Sequence, residues 1–162
     1  MDRFERLAGA LRRIPGLEVR ENEPMKRHTT FRIGGPARLM ALPRSRKEAA
    51  AAVQAATEAG IAPFFLGNGS NLLVADHGYE GFVLKACGLD QVREVNCRLR
   101  AESGITLARL ANAALGRGLT GLEFAHGIPG TLGGAVVMNA GAYGGEMVQV
   151  LTAVTYLDGA GE

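Results

Sequence analysis

Residues 127–146 read GIPGTLGGAVVMNAGAYGGE, and the meaning of this stretch decides how the rest of the chain is read. Seven of its twenty positions are glycine, none is Lys or Arg, and its only formal charge is Glu146 at the end. Glycine loses more backbone entropy on folding than any other residue, so such density is kept where backbone must approach something closely or where φ must be positive. The polar residues between, Thr131, Asn139 and Tyr143, are small or flat hydrogen-bonding groups. Two readings fit. One is a backbone cradle whose N–H groups hold a large, flat, phosphate-bearing ligand; the other is a Gly-rich pair of turns packed against a helix. In the first reading a short helix over residues 131–138 turns its N-terminal N–H groups toward an anion near Gly130 and Thr131.

A second glycine motif lies upstream, at Gly67-Asn68-Gly69-Ser70-Asn71-Leu72. The capping box Ser45-x-x-Glu48 opens an Ala-rich helix that runs to Glu58 and is closed by Gly60. A short apolar strand over residues 62–66 follows and leads directly into the glycines. Open α/β sheets bind ligands in that place, beyond the carboxyl ends of their strands. Ser70 and Asn71 can donate to phosphate oxygens while Gly67 and Gly69 let the backbone turn inward. The loop matches neither common phosphate fingerprint: Leu72 stands where a third Gly belongs, and no Gly-Lys-Ser/Thr is present. On the motif alone, a ligand loop and an ordinary turn both fit.

Around these two motifs the chain reads as α+β. Phe4, Leu7, Leu11 and Ile14 recur at helical spacing over residues 2–14, and Pro15-Gly16 stops that helix. Residues 17–22, 29–33, 37–42 and 81–85 are strand-prone, with Gly34-Gly35-Pro36 as a turn. Residues 91–95 and 97–101 form a hairpin with Asn96 at its turn. Thr106 caps a further helix that ends at Gly116 and Gly118. Residues 147–157 alternate like a strand, and Asp158-Gly159-Ala160-Gly161-Glu162 reads as a turn with no returning strand, which suggests an interrupted hairpin.

Composition removes several classes of function. The hydrophobic share of 47% with 21% charged residues is that of an ordinary globular chain, long enough for one core or two small lobes. No apolar run approaches a membrane span and the N-terminus is charged and amphipathic, so no membrane partner and a cytoplasmic location are expected. His28, His77 and His126 are scattered, and Cys87 and Cys97 lie ten apart without a ligand pattern, so a reduced structural pair and no metal site are expected. Lys and Arg are interspersed with acids and lack aromatic stacking partners, which argues against nucleic acid. Every Lys and Arg lies at or before Arg117. A phosphate-rich ligand on the second glycine segment therefore needs its cations from elsewhere.

Three segments taken together resemble one family. They are His28-Thr29-Thr30-Phe31-Arg32-Ile33-Gly34-Gly35-Pro36-Ala37, then Leu66 through Val74, then Gly121-Leu122-Glu123 with the 127–146 stretch. In order and spacing they are similar to the UDP-N-acetylenolpyruvoylglucosamine reductase (MurB) family of peptidoglycan synthesis. The resemblance implies an FAD-binding module of the p-cresol methylhydroxylase and vanillyl-alcohol oxidase type, with two α+β lobes and flavin between them: residues 1–66 as the first lobe, and residues 67–162 as the second, incomplete and without a substrate domain. It implies FAD neighbours at Gly67, Asn68, Gly69, Ser70, Asn71 and Leu72 for the pyrophosphate. Along the ribityl chain and ring it implies Gly127, Ile128, Pro129, Gly130, Thr131, Gly133, Gly134, Asn139, Ala140, Gly141 and Tyr143. It further implies NADPH as reductant and a UDP-sugar as substrate of the complete enzyme. Ser103, Arg109 and Glu123 match none of the family's catalytic motifs, so no catalytic residue is assigned and a chain inactive by itself is expected. The alternative is a non-catalytic nucleotide- or flavin-binding module. A side chain at Gly69 is expected to block the pyrophosphate while leaving the fold largely intact.

Overall fold

The computed structural model describes residues 2–158. Its first element is helix α1 (Arg3–Leu11), whose Phe4, Leu7, Ala8 and Leu11 are buried along one face. The helix ends earlier than its periodicity suggests, and Arg12 is its C-cap. Strands β1 (Glu18–Pro24) and β2 (Pro36–Leu42) pair antiparallel. Helix α2 (Arg46–Glu58) then crosses to β3 (Pro63–Leu66), and its N-cap Ser45 accepts from the Glu48 N–H as the capping box requires. Strand β4 (Tyr79–Lys85) enters between β2 and β3, parallel to both, giving the order β1-β2-β4-β3.

The two faces of this sheet serve different purposes. Leu39, Ala41, Phe82 and Leu84 pack against the buried faces of α1 and α2 in one core. Residues of the opposite parity, Met40 and Val83, join Met25, Ala37 and Leu66 in a second, smaller core partly covered by Leu72 and Val74. Strand alternation thus puts helices on one face and loops on the other. The expected division after residue 66 falls between β3 and β4, which are hydrogen-bonded neighbours in one sheet.

The strand expected at residues 29–33 is absent. These residues form turns: the Thr29 hydroxyl donates to the Ile33 carbonyl (3.1 Å), Arg32 takes φ 56°, and the Thr30 N–H donates to Gly69 (3.2 Å). One backbone group that a ladder would have used is spent on the 67–72 loop, and the Arg32 N–H and Ile33 carbonyl are spent on Thr29.

Beyond the sheet, β5 (Val92–Val95) and β6 (Arg98–Ala101) form the expected hairpin. Its two turn residues, Asn96 and Cys97, both have positive φ, the signature of a tight two-residue turn. Helix α3 (Leu107–Leu115) is capped by the Thr106 hydroxyl, which accepts from Arg109 N–H. Helix α4 (Leu132–Met138) and the small hairpin β7 (Gly141–Ala142) and β8 (Gly145–Glu146) follow. Leu107, Ala125, Ala135 and Met147 form the core of this second unit.

The alternating stretch at residues 147–157 is not a strand. Met147–Gln149 is a 3₁₀ turn held by the Glu146 N–H donating to Gln149 Oε1 (3.1 Å) and the Val148 N–H donating to Asn139 Oδ1 (2.9 Å). Residues 151–158 join no ladder among the described residues. Alternation signals a half-buried strand only where a neighbouring strand takes up the backbone groups. From residue 159 on, the turn expected after Asp158 lies outside the described residues.

Candidate functional site

The two glycine segments, sixty residues apart in sequence, meet. A Cβ built on Gly67 would overlap the Thr131 hydroxyl, and one built on Gly130 would lie 3.3 Å from Ser70 Oγ. Only a residue without a side chain lets the 67–72 backbone pass this close to Thr131, which is itself buried. The loop leaves β3 at its carboxyl end, where Leu66 pairs with Lys85, the last residue of β4. It therefore sits in the crevice that an open parallel sheet offers to ligands.

Gly69 has φ 64°, and a Cβ there would overlap the His28 carbonyl and press on Thr29. Its side-chain direction faces protein, not the open side of the loop. Gly69 is thus a backbone-packing position, and the expectation that a side chain there leaves the fold intact does not hold. Among the described residues the N–H groups of Asn68, Gly69, Ser70 and Asn71 donate to no backbone carbonyl. Asn68 and Asn71 are exposed, and Gly67, Ser70 and Leu72 are half-buried. Four consecutive unspent N–H donors, together with the Ser70 hydroxyl and the Asn71 amide, suit an anion far better than an apolar partner.

The second segment is built otherwise. Its short helix does not offer its first N–H groups to a ligand: Leu132 N–H donates to the Ile105 carbonyl (2.8 Å) and Gly133 N–H to the Ser103 carbonyl (2.7 Å). These bonds flank the bridge between Thr106 and Thr131. A Cβ on Gly133 would lie 2.8 Å from Ser103 Cβ, and one on Gly145 would lie 2.7 Å from the Phe124 ring. Asn139, at the left-handed C-cap of α4, is bonded through its side chain to Glu146 and Val148. Tyr143 and Gly144 make the two-residue turn between β7 and β8, with φ 53° and 83°, and Tyr143 is 96% exposed. Gly127, Pro129, Gly134 and Gly141 are exposed, while Ile128, Gly130 and Ala140 are half-buried. Gly121, Glu123, Phe124, Tyr143, Gly144, Gly145 and Gln149 line an open cleft of about 480 Å³ on this unit.

Three residues withheld from a catalytic role have structural partners. Ser103 holds Gly133 through its carbonyl, Arg109 pairs with Asp90, and Glu123 accepts from Gly121 N–H (2.8 Å). Cys87 is half-buried and Cys97 is exposed in its hairpin turn, both as free thiols. Among the described residues no cluster of His, Cys, Asp or Glu has the makings of a metal site, and no helix is long and apolar enough to cross a membrane.

Beneath the first loop lies a polar network that no sequence motif marks. Glu23 and His28 are buried. Lys85 Nζ donates to His28 Nδ1 (2.9 Å), leaving His28 Nε2–H to donate to Glu23 Oε1 (2.8 Å), which also accepts from Arg20 (3.0 Å). Burial pushes the His28 ring below its ordinary value near 6.5, and the Lys85 charge adds to this while Glu23 opposes it. Burial works to raise the Glu23 carboxyl, but hydrogen bonds from His28 and Arg20 outweigh it and hold the group below the ordinary carboxylate range. Burial likewise lowers the Lys85 ammonium and raises the neighbouring Cys87 thiol. A lysine two positions after buried Val83, and so on the same face of β4, was the available signal.

The residues present fit a dinucleotide: a glycine crossing that a Cβ would fill, unspent N–H groups beside it, and no carboxylate among residues 67–72. Comparison with known proteins gives the same class. Residues 37–162 match the model of a family described as FAD binding domain. A UDP-N-acetylenolpyruvoylglucosamine reductase of Caldanaerobacter subterraneus is 53% identical over 137 residues, covering 85% of this chain and 45% of that protein. The crystal structure of the Thermus caldophilus reductase of the same name aligns with TM-score 0.64 at 37% identity, over 80% of this chain and 44% of that one. That of p-cresol methylhydroxylase aligns with TM-score 0.55 at 11% identity, over 72% of this chain and 25% of that one, a likeness of fold alone. The chain spans about half the length of the curated relatives it matches.

Proposed function

The chain belongs to the FAD-binding domain family, and from that premise we propose that it is the flavin-holding part of a reductase that converts UDP-N-acetylglucosamine enolpyruvate to UDP-N-acetylmuramate. The similarity to such reductases at 40–53% identity supports this reading. The observation that carries it is the crossing of Gly67 over Thr131, which makes one surface of the two glycine segments.

In this reading the N–H groups of Asn68, Gly69, Ser70 and Asn71 receive the FAD pyrophosphate, helped by the Ser70 and Asn71 side chains. Residues Gly127, Ile128, Pro129, Gly130, Thr131, Gly133, Gly134, Asn139, Ala140, Gly141 and Tyr143 border the rest of the cofactor. Because α4 spends its first N–H groups internally, this second segment supplies shape more than charge. The chemistry that FAD supplies when bound is hydride transfer from NADPH to the enolpyruvyl double bond of the UDP-sugar. None of this chain's residues is assigned the proton transfer, so these 162 residues are proposed to bind flavin without turnover. The reductase reading places the protein in the cytoplasm, where nucleotide sugars are made. The two lobes are read as the sheet unit up to Gly88 and the unit beyond it, since β3 and β4 share a sheet.

The test is a visible spectrum of the purified chain before and after incubation with FAD and desalting. A retained, protein-perturbed flavin spectrum is expected. A colourless protein that melts cooperatively but takes up no FAD would overturn the cradle and leave the glycines to the fold.

A further inference from the structure

The polar network under the 67–72 loop has no role in the reading above. A buried Glu and His in series with a half-buried Lys are costly to assemble and are kept only when every partner is satisfied. Here they are satisfied, and they converge on the one segment against which the phosphate loop rests. The His28 side chain is held from β1 by Glu23 and from β4 by Lys85. Its own carbonyl and the adjoining Thr29 form the surface that Gly69 packs on, and Thr30 N–H bonds the Gly69 carbonyl (3.2 Å). Three consecutive residues thus join the network to the loop.

We propose that His28, clamped between Glu23 and Lys85, is a positioning residue for FAD: it fixes the backbone on which the 67–72 loop rests and loosens that loop when its second ring nitrogen takes up a proton. The inference rests on the reading of that loop as the pyrophosphate site. The charged groups facing the ring are Glu23 and Arg20 from β1 and Lys85 from β4. Glu18 lies behind Arg20 (2.6 Å), and the Cys87 thiol is coupled electrostatically to Lys85. The neutral ring accepts from Lys85 at Nδ1 and donates to Glu23 at Nε2. A proton on Nδ1 turns that acceptor into a donor facing an ammonium, so the Lys85 contact breaks and the ring and ammonium repel. Because the folded ring resists protonation, the clamp is complete above the ordinary histidine value near 6.5 and is lost as pH falls through the lower folded value.

The experiment is FAD affinity by fluorescence titration between pH 8 and pH 5 on the 162-residue chain and on His28→Gln, with circular dichroism at each pH to confirm folding. Gln can accept from Lys85 and donate to Glu23 without titrating. The unsubstituted chain is expected to lose about tenfold in affinity as the pH falls, while His28→Gln binds within about threefold of it at pH 8 and stays flat. Lys85→Met removes the donor at Nδ1 and so opens the clamp at every pH: its affinity should already be about tenfold lower at pH 8, with little further loss on acidification. FAD binding with the same acid profile in both the parent and His28→Gln would overturn the positioning role and leave the cradle standing. If the parent binds no FAD at any pH, the cradle itself fails and the inference falls with it. If His28→Gln does not fold, Lys85→Met decides, and an affinity at pH 8 and an acid profile matching those of the parent overturn the proposal.

Discussion

Residues 67–72 carry two glycines and leave four consecutive N–H groups without a backbone acceptor, whereas residues 127–146 carry seven glycines and spend much of that freedom on their own packing. Gly133 lies against Ser103 and Gly145 against the Phe124 ring, and the first N–H groups of α4 are bonded to the 103–105 backbone. The shorter loop is the one that stays chemically available, because its rigidity comes from outside: the sheet edge, the His28–Thr30 backbone and the hydrogen-bonded Glu23–His28–Lys85 series. Glycine density measures close approach. It does not say whether protein or ligand is approached.

Substitutions can break or sharpen this contrast. The largest effect is expected at Gly69. Gly69→Val combines a positive φ with overlap of the His28 carbonyl, and neither that backbone nor the new side chain can yield cheaply. A loss of about 3 kcal/mol or more is expected in urea unfolding, with loss of FAD binding alongside. Unchanged stability with selective loss of flavin would show instead that Gly69 faces the ligand.

Gly67→Ala tests the crossing of the two segments. Its Cβ would meet the hydroxyl of a buried, β-branched side chain with little room to turn, so a cost of about 1–3 kcal/mol is expected. Thr131→Ala removes the obstructing hydroxyl, and the double variant should recover most of that loss in a double-mutant cycle. Additive costs would place Gly67 and Thr131 out of contact.

Gly145→Ala probes a glycine argued to serve packing alone. It should lower the melting temperature, at a cost of about 1–2 kcal/mol from crowding the Phe124 ring, with FAD affinity within about threefold of the parent. A large drop in affinity at unchanged stability would make the β7–β8 hairpin a ligand wall and erase the contrast.

The smallest effect is expected at Tyr143→Phe. The hydroxyl stands on an exposed two-residue turn, and its loss should move stability by no more than about 0.5 kcal/mol. A shift in the spectrum of bound flavin, with stability unchanged, would place the ring end of FAD beside this turn.

Much of the fold was legible along the chain because the signals are local. The Ser45 and Thr106 caps, the helical spacing of Phe4, Leu7 and Leu11, and the Asn96 turn each act within a few residues. The strand readings at 29–33 and 147–157 did not hold, for one reason. β propensity describes a side-chain pattern, but a strand exists only where another strand accepts its backbone bonds. Residues 29–33 found the glycine loop instead, and Asn139 and Gln149 took the N–H groups at residues 148 and 146.

What the sequence determined by itself was the list of parts: two glycine motifs, an α+β order around them, and a family resemblance strong enough to name the cofactor. The tertiary structure alone decided which glycines face protein, that the first N–H groups of α4 are already spent, and that Glu23, His28 and Lys85 join in one hydrogen-bonded series. Those facts depend on residues more than sixty positions apart coming within a few ångströms, and no local pattern encodes where a glycine's missing side chain would have pointed.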